Sequence, residues 1–301
     1  MIIPWVIPAL IAPAVYTIVN FIDKYIVSKE VKDYRGMPIY GTIMGFVVGT
    51  LFWIITGFPL LSLRDALIVL STGMLTIWGA ALYFKAISHE DASKLILLFQ
   101  MMPVFVLILA LLFLGEKITT PQILGFFLIL SAVIGISVEK GKREFKISQT
   151  LLLILLVDLI WAASAILIKF AIDANSFSKI LSFESWGIGV GGVMLYSFFP
   201  SIRNAFNESI RTVRKRALVV MFADEGIFVV GKSITFFAYS IGPAALVSVI
   251  GSTQVFFGII YGSVLTIMAP HLIKENISRD ELFKKIIAAI VLFIGIWLIY
   301  K

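Results

Sequence analysis

Residues 148–171 read SQTLLLILLVDLIWAASAILIKFA, with only two charged side chains, Asp158 and Lys169, among mostly apolar residues. A helix needs about 20 mostly apolar residues to cross the hydrocarbon core of a membrane. Strands of an outer-membrane barrel would instead alternate in polarity over about 10 residues. Because residues 151–157 are apolar on every face, the stretch predicts a membrane-spanning helix.

The rest of the chain repeats this pattern. Of 301 residues, 60% are apolar and 14% are charged, against about 25% charged in ordinary soluble domains. Hydropathy predicts ten spans, the first a retained helix rather than a signal peptide. They run over residues 2–26, 38–57, 65–87, 93–114, 121–138, 148–171, 180–200, 215–240, 243–269 and 284–300. We therefore expect an all-α integral membrane protein with ten transmembrane helices.

Composition also limits the chemistry. The chain has no cysteine, and its two histidines, His89 and His271, lie far apart in sequence, so we expect neither a metal site nor a cofactor nor catalytic residues. The net charge of +7 is explained by cytoplasmic anchoring of helices and needs no nucleic-acid partner. The expected partners are a small-molecule substrate and the lipid bilayer, with the chain a monomer or a homodimer.

The second half of the chain matches the first in order. Lys24 aligns with Lys169, Gly41 with Gly187, Phe84 with Phe236 and Ile134 with Ile294. This order predicts a duplication, with residues 1–140 as a first five-helix repeat and residues 147–301 as a second. An odd number of spans inverts the second copy in the membrane. Inverted repeats are typical of secondary transporters, whose substrate site lies near the midplane between the halves.

These features resemble the EamA-type branch of the drug/metabolite transporter superfamily. The resemblance is carried by the two five-helix halves and by Lys24, Pro103, the turn at residues 115–119, Gly125, Gly135 and Lys169. It implies a ten-helix carrier in which helices one to four and six to nine line a central cavity, with five and ten peripheral. The second half departs from this pattern, since Val255 stands opposite Pro103.

The basic residues predict an orientation. Odd-numbered loops carry 16 lysines and arginines, whereas even-numbered loops and the C-terminus carry 4. The positive-inside rule then places the basic loops in the cytoplasm and both termini outside. The resemblance implies the reverse, because family members usually keep both termini in the cytoplasm.

Three charged residues inside the predicted spans are candidate substrate-binding residues. Asp158 lies ten residues into the sixth span, and Glu225 and Lys232 lie near one face of the eighth. Charges at membrane depth persist mainly where they face a cavity or a partner. Asp158 could exchange a proton with substrate, which makes proton coupling a hypothesis. The alternatives are an Asp158 capped by hydroxyls or paired with Lys232, and a Glu225 solvated at the interface.

Polar and aromatic residues complete the predicted binding site. Tyr16 overlays Trp161 in the repeat, so these two rings could flank a midplane pocket from opposite halves. The further candidates are Asn20, Trp78, Gln100 and Gln254. Hydrogen bonding between helices is the alternative for each of them.

Two sequence patterns are better explained by packing or chance. Residues 226–233, GIFVVGKS, match a phosphate-binding loop, but they lie in an apolar run without the strand that such a loop follows. Glycines recur every four residues at Gly41, Gly45 and Gly49 and at Gly187 and Gly191. This spacing predicts close contacts between helices.

The sequence therefore favours a secondary transporter of small polar or amphipathic metabolites in the cell membrane, working by alternating access. Candidate charges of both signs favour an amino-acid-like substrate. Two alternatives stay open, a flippase for a lipid-linked substrate and an integral-membrane enzyme acting on a lipid.

Overall fold

The computed structural model describes residues 5–114, 119–137, 149–242, 244–276 and 278–300, and in these residues it contains helices and no strand. The α-helices are Val6–Tyr25 (α1), Pro38–Ile55 (α2), Leu63–Ile87 (α3), Ala92–Leu98 (α4), Met102–Leu114 (α5), Thr120–Ser137 (α6), Gln149–Ala174 (α7), Phe177–Phe198 (α8), Pro200–Thr212 (α9), Lys215–Ile241 (α10), Ala244–Gly251 (α11), Gln254–Met268 (α12) and Arg279–Tyr300 (α13). The all-α class predicted from hydropathy is confirmed.

Each predicted span contains helix, and five helical segments of the described ranges are long and apolar enough to cross a membrane. These are Val6–Glu30, Tyr34–Ile55, Leu63–Ile87, Ala92–Leu109 and Gln149–Ile172. Many large apolar side chains on the outer faces of the helices are exposed, among them Leu51, Leu112, Val230 and Trp297. Such an apolar exterior fits lipid rather than water as the solvent.

Helix α9 was not predicted. Hydropathy indicates a break between residues 200 and 216, because this stretch is polar on average. The structure instead contains an amphipathic helix that starts at Pro200, a favourable first position. Its residues Ala205, Phe206 and Ser209 are buried, and the Ser209 hydroxyl lies 2.5 Å from the Tyr40 hydroxyl of α2. Helix α9 therefore covers one end of α2.

Several predicted features lie outside the described residues. They are residues 2–4 of the first predicted span, positions 115–118 of the turn cited for the resemblance, the boundary between the repeats with the basic residues at 140–146, and the C-terminal Lys301.

Glycines bring α8 against α2 and α3, as their spacing predicts. A Cβ on Gly187 of α8 would lie 2.9 Å from Cα of Leu70 on α3, so the two backbones are in contact there. A Cβ on Gly45 of α2 would similarly meet the backbone of α8. Any side chain at Gly187 would force these helices apart.

A buried ionic cluster fixes the connection between α12 and α13. Glu275 accepts hydrogen bonds from the Ser93 backbone N–H at 3.0 Å and from the Ser93 hydroxyl. Lys285 Nζ lies 2.7 Å from Ser93 Oγ and 3.4 Å from Glu275 Oε2. Since Ser93 lies in α4, the cluster joins the first turn of α4 to the start of α13.

The connection between α1 and α2 has a more exposed ion pair. Arg35 Nη2 lies 2.5 Å from Asp33 Oδ2, and Asp33 also accepts the Arg35 backbone N–H. The Arg35 guanidinium holds the pKa of Asp33 below its usual range. The pair closes a short 3₁₀ turn, Tyr34–Gly36, against which α9 packs.

Candidate functional site

A cavity of about 300 Å³ lies at the centre of the helices. Its lining comes from α1, α2, α3, α7, α8, α10 and the segments around the two helix breaks. None of the described residues of α6 and α13 lines it, and these two helices pack against each other. This arrangement agrees with the central and peripheral helices that the resemblance implies.

Two predicted spans are interrupted beside the cavity. The fourth ends as α4 at Leu98, passes through a 3₁₀ turn, and restarts as α5 at Met102. Pro103 explains this break, because it has no N–H to donate and its ring crowds the carbonyl of residue 99. The ninth span is interrupted between α11 and α12 at Ser252 and Thr253. This second break forms although Val255 stands where the first half has its proline.

A chain of hydrogen bonds in the cavity wall joins α12, α1 and α3. Gln254 donates to the Asn20 amide oxygen at 2.8 Å, and Asn20 donates to the Tyr83 hydroxyl at 3.0 Å. Tyr83 in turn donates to Asp23 Oδ2 at 2.8 Å. The predicted residues Asn20 and Gln254 are thus directly bonded to each other, and the chain ends on Asp23, which the sequence analysis did not single out.

Lys232 is paired with a residue that sequence reasoning missed. Its Nζ lies 2.5 Å from Glu184 Oε2 on α8, and both side chains are buried. Ser185 Oγ lies 3.4 Å from the same Nζ, and Thr76 donates to Glu184 Oε1 at 3.4 Å. The expected alternative, a pair between Lys232 and Asp158, is wrong. The signal for Glu184 was present, since it is the only acid in the predicted seventh span.

The acids of α10 face α1 and α2. Asp224 lies within hydrogen-bonding range of Asp23. The Glu225 carboxylate lies against Gly41, where a Cβ would come within 3.1 Å of its oxygens. All three acids line the cavity, so the structure brings Glu225 together with two carboxyl groups that were not predicted as site residues.

Tyr16 and Trp161 line the cavity from opposite halves. The Tyr16 ring packs on Gly231 and lies 5.8 Å from the ring of Phe228. The Trp161 indole packs on Gly79 and donates to the Thr76 carbonyl at 3.3 Å. Both rings therefore line the cavity, and their contact with a substrate stays a prediction.

Gln100 lines the cavity, whereas Trp78 does not. Gln100 is buried at the break between α4 and α5, where its amide donates to the Ile96 carbonyl at 2.8 Å. Trp78 is 36% exposed on the outer side of α3, and its indole donates to the Gly191 carbonyl at 3.1 Å. Its neighbours Ile77 and Gly79 are buried. Because successive side chains of a helix point in different directions, Trp78 faces away from the cavity although its neighbours face inward.

Asp158 is fully buried in α7 but lies outside the cavity lining. Neither of its carboxyl oxygens has a hydrogen-bond partner among the described residues. It shares a helix face with Ala162 and Ala165, which pack against α5. Asp158 is therefore not placed to meet a substrate in the cavity, and neither expected alternative, capping by hydroxyls or pairing with Lys232, is present among the described residues.

Comparisons with known proteins agree with this architecture. Residues 3–138 match the model of the EamA-like transporter family. A solved structure, described only as the crystal structure of a protein, aligns over 96% of this chain and 94% of its own, with 12% identity and a TM-score of 0.62. At that identity the likeness shows the fold alone. No curated protein matches the sequence.

Proposed function

Because this is a multi-pass membrane protein whose residues 3–138 match the EamA-like transporter family, we propose that it is a secondary transporter. It moves small polar or amphipathic organic molecules across the cell membrane by alternating access. Its ten crossings form two inverted five-helix repeats, and the substrate binds in the central cavity. The observation that carries this proposal is the cavity of about 300 Å³, which has the size of a small-molecule site.

Repeated side-chain contacts support the inverted repeat. Lys24 donates to the Ile87 carbonyl at 3.0 Å, and Lys169 donates to the Tyr239 carbonyl at 3.3 Å. These are the same positions in the two proposed copies. Lys24 aligns with Lys169, and the alignment of Phe84 with Phe236 places Ile87 opposite Tyr239. Two aromatic contacts correspond in the same way. Tyr16 packs on Gly231, and Trp161, which aligns with Tyr16, packs on Gly79, which aligns with Gly231.

Interrupted helices and an unequal pair of helix contacts support alternating access. Transporters of this kind often bind substrate at discontinuous helices near the midplane. Here α3 meets α8 backbone to backbone at Gly187, whereas the corresponding helices α10 and α2 are separated by the Glu225 side chain at Gly41. One contact is closed and its counterpart is held apart, as expected for one state of an alternating carrier.

Transport into proteoliposomes tests the proposal. We expect counterflow uptake of at least one solute from a panel of amines, amino acids, nucleotide sugars and sugar phosphates. Val229→Trp should block this uptake, because Val229 lines the cavity. Val230→Trp is the matched control, since the neighbouring Val230 is 52% exposed on the outer face of the same helix. Equal uptake by the two variants would contradict a route through the cavity.

The same vesicles separate the rival functions. Movement of a fluorescent lipid between leaflets without solute uptake would indicate a flippase. Chemical turnover of a lipid without uptake or lipid movement would indicate an enzyme. Either result would overturn the carrier proposal.

We also propose that the basic loops face the cytoplasm and that both termini lie outside. The support is the 16 to 4 distribution of basic residues. A C-terminal epitope tag should then bind antibody on intact cells. Binding only after permeabilisation would reverse the orientation.

A further inference from the structure

The cavity contains more acid than base. Its described charged residues are four acids and one lysine, namely Asp23, Glu184, Asp224, Glu225 and Lys232. Lys232 is already paired with Glu184 at 2.5 Å. Three carboxyl groups, on α1 and α10, are thus left without a cation among the described residues that line the cavity.

These three carboxyl groups lie together. Asp23 and Asp224 are within hydrogen-bonding range of each other, and Glu225 lines the same cavity beside Gly41 of α2. Two carboxylates at this distance repel each other, and burial in a low dielectric makes their charges harder to keep without a partner. We call Asp23, Asp224 and Glu225 the acid cluster. It is a place where a positive charge would be stabilised.

A second observation concerns atoms that lack hydrogen-bond partners. Asp224 is 3% exposed, and its Oδ1 has no partner within the described part of the chain. Gln100 is also 3% exposed, and its Oε1 likewise has none. Both residues line the cavity. A carboxylate oxygen and an amide oxygen both accept hydrogen bonds, so a ligand group with several donors, such as an ammonium with three N–H bonds, suits this part of the wall.

The remaining wall is largely aromatic and aliphatic. Rings of Tyr16, Phe84, Phe99, Trp161 and Phe228 line the cavity. Aromatic faces attract cations as well as apolar groups. A ligand with one cationic end and an apolar body would therefore match both parts of the wall.

We propose that the acid cluster binds the ammonium group of an amphipathic organic amine, whose apolar body lies against the aromatic wall. This inference rests on the proposed transport function and names its substrate class. It replaces the amino-acid-like substrate favoured by the sequence. That preference assumed an available positive charge at Lys232, and the ion pair with Glu184 removes it.

Binding of three matched probes to the purified full-length protein in detergent tests the assignment. Phenethylamine, phenylalanine and phenylacetate share one aromatic ring and differ in charge. Equilibrium dialysis at pH 7, where an alkylamine is protonated, should show the tightest binding for phenethylamine. Asp224→Asn and Glu225→Gln should each weaken it by about tenfold or more, because the amide still accepts a hydrogen bond but no longer carries the negative charge that pairs with the ammonium.

Two controls keep the test decisive. Glu208→Gln changes an acid that is half-exposed on α9 and should bind phenethylamine like the wild type. The size-exclusion profile of each variant identifies any that fails to fold, and the other substitution in the acid cluster then provides the measurement.

Each result decides the assignment separately from transport. Preferential phenethylamine binding that both folded variants weaken supports it. Absence of phenethylamine binding, equal binding of phenylacetate, or unchanged binding in the variants overturns it. Solute uptake in the proteoliposome panel would still uphold the proposed function in those cases, whereas its absence would overturn the carrier itself.

Discussion

The pair of Lys232 and Glu184 leads to the most direct stability prediction. The charged atoms are 2.5 Å apart, and the side chains are 5% and 1% exposed. At an effective dielectric constant of about 20, two unit charges at this distance attract by about 7 kcal/mol. Desolvation of both groups offsets much of this attraction. Removing one partner leaves the other charge buried, and we expect Glu184→Met or Lys232→Met to cost about 3–5 kcal/mol.

The double variant Glu184→Met/Lys232→Met distinguishes this explanation from simple loss of packing. It buries two apolar side chains in place of two charges, so its stability should return to within about 1–2 kcal/mol of the wild type. Unfolding by SDS in mixed micelles, followed by tryptophan fluorescence, measures all four proteins. The reasoning is refuted if each single variant costs less than about 1 kcal/mol, or if the double variant loses the sum of both.

This double variant also tests the substrate assignment from another direction. If Lys232 serves only to neutralise Glu184, its removal together with Glu184 should leave phenethylamine binding within about twofold of the wild type, a change of less than about 0.5 kcal/mol.

Three further predictions concern stability and use the same SDS titration. Gly187→Leu should lower the free energy of unfolding by at least about 1–3 kcal/mol, because a Cβ at this position meets the backbone of α3. Gly226→Leu should be nearly neutral, because no atom lies within 4 Å of a Cβ placed there. Glu275→Ala leaves a buried lysine and should cost about 3–5 kcal/mol, whereas Glu281→Ala, in a looser 3.8 Å pair, should cost under about 1 kcal/mol. Asp33→Asn should lower the free energy of unfolding by under about 1 kcal/mol. Because folding lowers the pKa of Asp33, the difference from the wild type should be present above about pH 4 and should disappear as the pH falls further.

The sequence predicts the helices well because a membrane core imposes a simple composition. Each predicted span contains helix, since lipid leaves few alternatives to internal hydrogen bonding. Hydropathy averages cannot detect a change of backbone conformation within an apolar run. For this reason the breaks at residues 99–101 and 252–253 were not predicted as interruptions. Averaging also concealed α9, whose apolar face occupies only part of a polar helix.

Residues that line the cavity were predicted where spacing along one helix was sufficient. Tyr16 and Asn20 lie one turn apart, and both line the cavity. The partner of Lys232 was missed because sequence spacing compares residues on one helix, and Glu184 comes from another helix 48 residues away. Trp78 lies outside the cavity lining because its rotation about α3 could not be predicted from its place in the span.

Asp23 was overlooked because of its neighbour. It immediately precedes Lys24, so the two charges read as the polar end of the first helix. In the structure they point to different partners. Lys24 reaches the Ile87 carbonyl, whereas Asp23 accepts the Tyr83 hydroxyl within the cavity wall.

The two proposed repeats share their scaffold but not their charges. The alignment that relates Phe84 to Phe236 places Gly73 of α3 opposite Glu225 of α10. At Gly73 a side chain would collide with the backbone of α8, and so α3 can approach α8 closely. The Glu225 carboxylate occupies the corresponding space between α10 and Gly41 of α2. A cation bound at the acid cluster would therefore act directly on the α2 and α10 contact, where Glu225 lies against Gly41. The two helix contacts thus differ at one aligned position, which is glycine in α3 and glutamate in α10.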